Sequence, residues 1–266
     1  MQTNTIKHKL KAGGCALGTC ITDHTSPEIV TICKAAGLDF FFIDTEHSVP
    51  SCRDIQTLVR VGRGAGVIPL TRVTQAEYFL IARLLDVGAM GIIAPRIGSV
   101  EQARAVVDAM KFTPEGSRGY GLRGIINDYQ YAGARAEMDS ANRETMVVLQ
   151  VESQECLDAV FDIAATPGAD ALMIGPFDLS ISMGIPGQFD DPAFWKAIDR
   201  VVAACDKAGI APGIHMGSSK ALKKAAERGM RFLVCGSDAS VLLSGYRSVV
   251  QEMALGEIVA TKAGYM

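Results

Sequence analysis

No apolar run in this chain of 266 residues approaches the ~18–20 residues that a membrane-spanning helix needs, so no span is expected. Neither charge is in marked excess. Twenty-six Lys and Arg against 29 Asp and Glu leave a net charge of −3, with no basic footprint for nucleic acid or an anionic membrane. Among seven cysteines there is no Cys-x-x-Cys pair and no zinc-type spacing. Their number is odd, and most lie inside apolar runs, where a reduced thiol acts as a small hydrophobe. An intracellular, reducing compartment, the cytoplasm, is expected. Met1 to Gly14 carries lysines but no apolar signal-peptide core, so export is not expected. No low-complexity stretch or linker divides the chain. With 48 % hydrophobic residues, one large core and one domain over residues 1–266 are expected.

What the chain does have is concentrated at Phe40-Phe41-Phe42-Ile43-Asp44-Thr45-Glu46-His47-Ser48. Four apolar residues in a row read as a strand covered on both faces, as in a parallel sheet. Two carboxylates and an imidazole follow within four positions, and a strand end does not require them. In parallel α/β folds, the carboxyl ends of strands are where sites are built.

Seven further strands fit the pattern: Ala16 to Ile21, Ile68 to Val73, Met90 to Ala94, Met146 to Val151, Ala171 to Ile174, Ala211 to His215 and Phe232 to Cys235. Most are followed by a helical segment. Ser26-Pro27-Glu28, Ser51, Ser99, Asp191-Pro192 and Ser218 are its expected starts. Glycines 37, 88, 168, 209 and 229 precede strands as helix ends. Residues 5–12 read as a short amphipathic helix suited to plug a barrel end. Count and alternation give an α/β protein of the (β/α)8 TIM-barrel class, with a doubly wound open sheet as the alternative. The pattern breaks at Phe112 to Arg143, a long excursion of the kind used as a lid or subunit contact.

The strand ends are polar on one side only. They carry Asp44, Glu46 and His47; Arg72; Pro95 and Arg96; Gln150 and Glu152; Gly175-Pro176-Phe177-Asp178; His215; and Ser237 with Asp238. Glu152 and Asp178 end neighbouring strands, about 4.8 Å apart. Each alone reads as a helix cap or loop charge. Together they suit a hard divalent ion such as Mg²⁺ or Mn²⁺. Arg72 could hold a carboxylate or a developing oxyanion, or form a surface ion pair. His47 could be an acid–base group oriented by Asp44, or a structural histidine. Glu46 reads as a cap or structural partner, and His215 as pocket lining. Gly119-Tyr120-Gly121-Leu122-Arg123-Gly124 matches a dinucleotide fingerprint but follows no strand, so it is set aside. No lysine ends a strand, which argues against Schiff-base chemistry.

These residues resemble the HpcH/HpaI aldolases, metal-dependent class II pyruvate aldolases. The resemblance runs from about Lys7 to Leu243. It rests on Ile43-Asp44-x-Glu46-His47, Arg72 after Pro69, Leu84-Leu85-Asp86-Val87-Gly88, Pro114-x-Gly116-x-Arg118-Gly119, Gln150-Val151-Glu152 and Ile174-Gly175-Pro176-x-Asp178-Leu179-Ser180. It implies a (β/α)8 barrel, commonly a hexamer (a trimer of dimers) whose dimers exchange a C-terminal helix. It implies a divalent metal (Mg²⁺, Mn²⁺ or Co²⁺) on Glu152 and Asp178, Arg72 steadying a pyruvate enolate, and His47 with Asp44 moving protons. Gln150 would lie beside metal and pyruvate, and main-chain amides from Gly175 to Asp178 would hold the pyruvate carboxylate. The expected reaction cleaves or forms a 4-hydroxy-2-oxo acid, giving pyruvate and an aldehyde.

Thr45 stands where a glycine is usual, and Phe177 where a small residue is usual. Gly119 to Asp128, with Arg123 and Asn127, also departs from the pattern, and His215 adds a polar group. All these departures bear on the aldehyde half of the substrate. Two alternatives remain at this point. One is a related metal-enolate enzyme, citrate-synthase-like or a CoA-ester lyase. The other is a non-catalytic barrel, whose mark would be loss of Glu152, Asp178 or Arg72.

Overall fold

Alternation along each strand sends every second side chain inward, and those files build the centre of the molecule. Phe40 and Phe42, Ile68 and Leu70, Met146 and Val148, Ala171 and Met173, and Phe232 and Val234 form one fully buried cluster. The computed structural model describes residues 1–121 and 124–253. Its strands are β1 (Ala16–Ile21), β2 (Phe40–Asp44), β3 (Ile68–Arg72), β4 (Gly91–Ala94), β5 (Met146–Val151), β6 (Ala171–Ile174), β7 (Ala211–Met216) and β8 (Phe232–Ser237). They pair in sequence order, all parallel, and β1 closes on β8, so the barrel expected from the sequence is what forms. Phe40 stacks on Phe232 across the interior at 4.6 Å. Gly18 of β1 makes room for this stack, because a Cβ there would come within 2.6 Å of the Phe40 ring.

The bottom of the barrel is plugged by α1 (Thr5–Lys11), whose Ile6 and Leu10 join the interior cluster. Asn4 caps this helix and is wholly buried; its side-chain amide donates to the carbonyls of Met90 and Glu144. The helices α2 (Glu28–Ala35), α3 (Cys52–Ala65), α4 (Tyr78–Asp86), α5 (Val100–Met110), α10 (Pro192–Ala208) and α11 (Ser219–Glu227) pack outside. Ser51, Ser99, Asp191 and Ser218 cap their helices as their positions suggest. Ser26 does not: its hydroxyl bonds the Glu28 carboxylate, and Pro27 occupies the cap of α2.

The excursion after β4 contains a 3-10 turn at Gly124–Asn127 and α6 (Ala134–Glu144). These residues sit against Met1, Asn4 and Arg63, at the end opposite the strand carboxyl ends. The described part is therefore no lid; Arg123 lies outside the described residues. After β5 come α7 (Gln154–Asp158) and α8 (Val160–Ala164). The stretch after β6, which reads as irregular in sequence, is a helix, α9 (Pro176–Ser182). The last described helix, α12 (Asp238–Glu252), leaves Val241, Leu243, Tyr246, Val249 and Val250 exposed. No helix among the described residues is long and apolar enough to cross a membrane.

Candidate active site

Five of the inward files end in polar or small groups at the carboxyl end of the barrel: Asp44 on β2, Arg72 on β3, Gln150 and Glu152 at β5, Gly175 after β6 and His215 on β7. Asp44 and Arg72 are register partners. Their side chains meet in a two-pronged pair, Nε to Oδ1 at 2.9 Å and Nη2 to Oδ2 at 2.6 Å. Burial alone would raise the Asp44 carboxyl; the guanidinium, together with the main-chain N–H groups of Glu46 and His47, outweighs it and holds the group below the usual carboxylate range. Arg72 Nη1 also lies 3.3 Å from Glu46 Oε2, and Arg96 Nε lies 3.2 Å from Glu46 Oε1. Glu46 is thus a structural partner of two arginines. A guanidinium has five N–H donors, and Asp44 takes two. Arg72 therefore keeps donors for a further anion, and it lines the main cavity.

Asp44 does not meet the His47 ring, contrary to what their spacing suggests. Its Oδ1 instead accepts the main-chain N–H of Glu46 (2.9 Å) and, at 3.4 Å, that of His47. Asp44 therefore places His47 through the backbone turn. The imidazole is 57 % exposed, and its nearest ionic neighbour is Glu46 Oε2 at 3.8 Å. It is free to turn toward a ligand in the cavity it lines.

Glu152 is buried. One oxygen accepts the main-chain N–H of Arg96 and the other accepts Gln150 Nε2. Arg96 adopts a left-handed backbone conformation (φ 59°), rare outside glycine, to aim that N–H. Burial pushes the Glu152 carboxyl up; the two donors oppose this, and the charges of Glu46 and Asp178 add to it. Gln150, turned to donate to Glu152, leaves its Oε1 buried with no hydrogen-bond donor. Asp178 opens the first turn of α9 and is exposed. It lines both the main cavity, of about 1130 Å³, and a neighbouring one of about 570 Å³ that includes Glu46, Arg96 and Glu152.

This donor set fits a hard divalent ion: two carboxylates, an unused amide oxygen, and carboxylate repulsion that a cation would relieve. Among the described residues, no group of three or more His, Cys, Asp or Glu could hold a metal. The remaining positions would fall to water and substrate. Gly175 is required here, since a Cβ would sit 2.8 Å from Gln150 Nε2 and 3.0 Å from Glu152 Oε2.

Beyond this group the cavity is bounded by His215, by Phe177 and Phe189 in edge-to-face contact at 5.0 Å, and by Lys220 and Lys223 of α11. His215 Nε2 bonds the carbonyl of Gly236 at 2.9 Å. Asp238, at the same end, is structural: it accepts the main-chain N–H groups of Thr22, Asp23 and His24, and its carboxyl is held at about 2. Sequence reading missed α9, whose signal is Pro176 at the first helical position, and the lysines and Phe189 that only the fold brings to the cavity.

A closed parallel barrel with acid–base groups gathered at its strand carboxyl ends defines a (β/α)8-barrel enzyme. The chain belongs to the HpcH/HpaI aldolase/citrate lyase family, whose model matches residues 21–244, and it is a carbon–carbon lyase. It is 32 % identical over 248 residues to the hydroxypyruvate/pyruvate aldolase of Roseovarius nubinhibens, covering 93 % of this chain and 96 % of that one. The crystal structure of an HpcH/HpaI aldolase from Desulfitobacterium hafniense superposes with a TM-score of 0.89 at 33 % identity, over 93 % of this chain and 96 % of that one. The citrate synthase SbnG superposes with a TM-score of 0.82 at 27 % identity, over 96 % and 98 % of the two chains.

Proposed function

We propose that this chain cleaves or forms a 4-hydroxy-2-oxo acid through a pyruvate enolate, giving pyruvate and an aldehyde. The observation that carries this reading is Arg72, fixed by Asp44 with donors to spare, beside the Glu152, Asp178 and Gln150 group. Glu152 and Asp178 would hold a divalent ion (Mg²⁺, Mn²⁺ or Co²⁺), which would supply Lewis-acid polarisation of the 2-oxo group. Arg72 holds the oxygen on which charge develops. Gln150, Gly175, Pro176, Phe177 and Asp178 form the floor and wall of the pyruvate pocket. His47, placed by the Asp44 turn, takes the 4-hydroxyl proton through water. The C3–C4 pair then becomes the C2–C3 double bond as the aldehyde leaves, the pair of the 2-oxo group moving onto its oxygen beside Arg72. When the enolate collapses, the proton taken from the hydroxyl returns through water to C3 and gives pyruvate.

The working form is a homo-oligomer, a hexamer built as a trimer of dimers through an exchanged C-terminal helix. The exposed apolar side chains of α12 support it. The protein works in the cytoplasm, in line with its free thiols. The test is exchange of the pyruvate methyl protons into D₂O with an added divalent ion, beside cleavage of a 4-hydroxy-2-oxo acid. No exchange under saturating metal would overturn the reading. The likeness to SbnG favours a second one, in which the same enolate serves a citrate-synthase-like or CoA-ester reaction. Use of oxaloacetate with a second carboxylate or thioester, and no aldol cleavage, would support that.

A further inference from the structure

The file of β7 that points into the barrel runs Ala211, Gly213, His215, so the imidazole stands in the top layer of the interior, level with the site. Two contacts fix it. Its ring stands perpendicular to that of Phe42, centroids 5.8 Å apart, and Arg72 lies over the same Phe42 ring at 5.6 Å. Its Nε2 lies 2.9 Å from the Gly236 carbonyl, which can only accept, so Nε2 carries the hydrogen. Burial holds the ring below the usual histidine range, against the pull of that carbonyl, so the neutral form dominates. In neutral imidazole the other nitrogen is then an acceptor. Nδ1 receives no hydrogen bond from any described residue and is not among the buried atoms lacking a partner, so it opens on the cavity.

We propose that His215 Nδ1 accepts a hydrogen bond from a hydroxyl on the aldehyde half of the substrate, making a 2-hydroxyaldehyde the preferred partner of pyruvate. The inference rests on the aldolase reading and names the substrate class of that same site. Arg72 marks the pyruvate end, and the shared Phe42 ring sets His215 beside it. A group meeting Nδ1 must be a donor. An alkyl substituent would strip water from Nδ1 and return nothing, and a carboxylate would meet a lone pair. Sites built to bond a hydroxyl reject the analogue that lacks it more strongly than apolar pockets reject an added one. The lysines of α11 are exposed. They bound the cavity without setting this contact.

The experiment compares glycolaldehyde with propanal, its near-isostere, as acceptors for pyruvate in metal-supplemented full-length protein. Wild type should favour glycolaldehyde in kcat/KM on the order of ten- to hundredfold. In His215→Leu the preference should collapse to within about threefold of propanal, through loss of the glycolaldehyde rate. His215→Gln, which keeps an acceptor, should restore part of it. Comparing variant with wild type cancels the aldehydes' intrinsic reactivities. Pyruvate deuterium exchange needs no aldehyde and should fall far less than glycolaldehyde addition in His215→Leu. A wild type without preference, or an unchanged preference in His215→Leu, would overturn this inference alone. Equal losses of exchange and addition would place His215 at pyruvate and also overturn it. Absence of exchange in the wild type would overturn the aldolase reading with it.

Discussion

Asp44 and Arg72 are partners in the β2–β3 ladder, and their side chains continue that pairing with two parallel hydrogen bonds, 2.9 and 2.6 Å long. Their side chains are only 2 % and 9 % exposed. Such a pair is costly to desolvate and gives little net stability, yet breaking it strands a buried charge. Its service is orientation: a guanidinium clamped on one edge presents its other edge in one direction.

Arg72→Ala should slow pyruvate deuterium exchange and aldol cleavage together, because both pass through the enolate. The loss should be on the order of 10²–10³, as for other oxyanion donors. Arg72→Lys should recover only part of it, since a point charge cannot replace the fork. The two reactions are assayed side by side; normal exchange in Arg72→Ala removes this role.

Asp44→Asn should destabilise the fold by up to about 3–5 kcal/mol in denaturant titration, because Arg72 loses its two-pronged partner and is left buried with only Glu46, 3.3 Å away, to balance its charge. The pH dependence follows from the sign of the shift. The Asp44 carboxyl is lowered in the folded state, so its contribution is complete above the ordinary aspartate value near about 3.9 and is lost as pH falls through the lower folded value. Urea midpoints measured from about pH 5 down to about pH 2 should therefore fall less steeply in Asp44→Asn than in wild type.

Stripping divalent ions with a chelator should abolish activity, and Mg²⁺, Mn²⁺ or Co²⁺ should restore it. Glu152→Ala and Asp178→Ala should each lose Mn²⁺ binding at micromolar concentrations, measured by calorimetry. Gly175→Ala should keep the fold but weaken Mn²⁺ by roughly 10–100-fold, because its methyl group presses on Gln150 and Glu152. Full activity in metal-free protein would sink the two-carboxylate site.

His47→Ala should lower kcat for aldol cleavage by roughly 10²–10⁴, the usual worth of a positioned acid–base group. Oxaloacetate decarboxylation needs the enolate but no hydroxyl deprotonation and should suffer much less. Metal affinity should barely move. Equal losses in both reactions, measured on one metal-saturated preparation, would withdraw the proton-transfer role.

Sedimentation should find wild type well above the 28.3 kDa of one chain. Leu243→Asp with Tyr246→Asp should shift the population toward smaller species, since both side chains lie on the exposed apolar surface of α12. A monomeric wild type would remove the hexamer.

The barrel was legible because its strands are short, apolar and punctuated. β1, β5 and β6 have the limits that their apolar runs give. The helix α9 was not, because seven residues are too few for periodicity and Gly175-Pro176 reads first as a turn. Ser26 has the residue type of a cap, but hydroxyl and carboxylate two positions apart found each other first. At the site, strand-end chemistry could be read one strand at a time, whereas pairing could not. Asp44 is three residues from His47 in sequence, but its partner lies 28 positions on, across a register that no local pattern displays. The tautomer of His215 likewise depends on Gly236 of the next strand.

Closure of β1 on β8 sets Ala16 beside Phe232. During synthesis the first strand therefore waits for the last, its hydrogen-bonding edge unpaired while nearly the whole chain emerges. Loop-closure entropy must be spent before that seam returns anything, so the seam belongs to the late, slow part of folding. The half-built sheet carries two open edges, which are templates for other chains. Crowded, rapid expression should thus send this protein into aggregates more readily than its native stability would suggest, and slower synthesis should recover it.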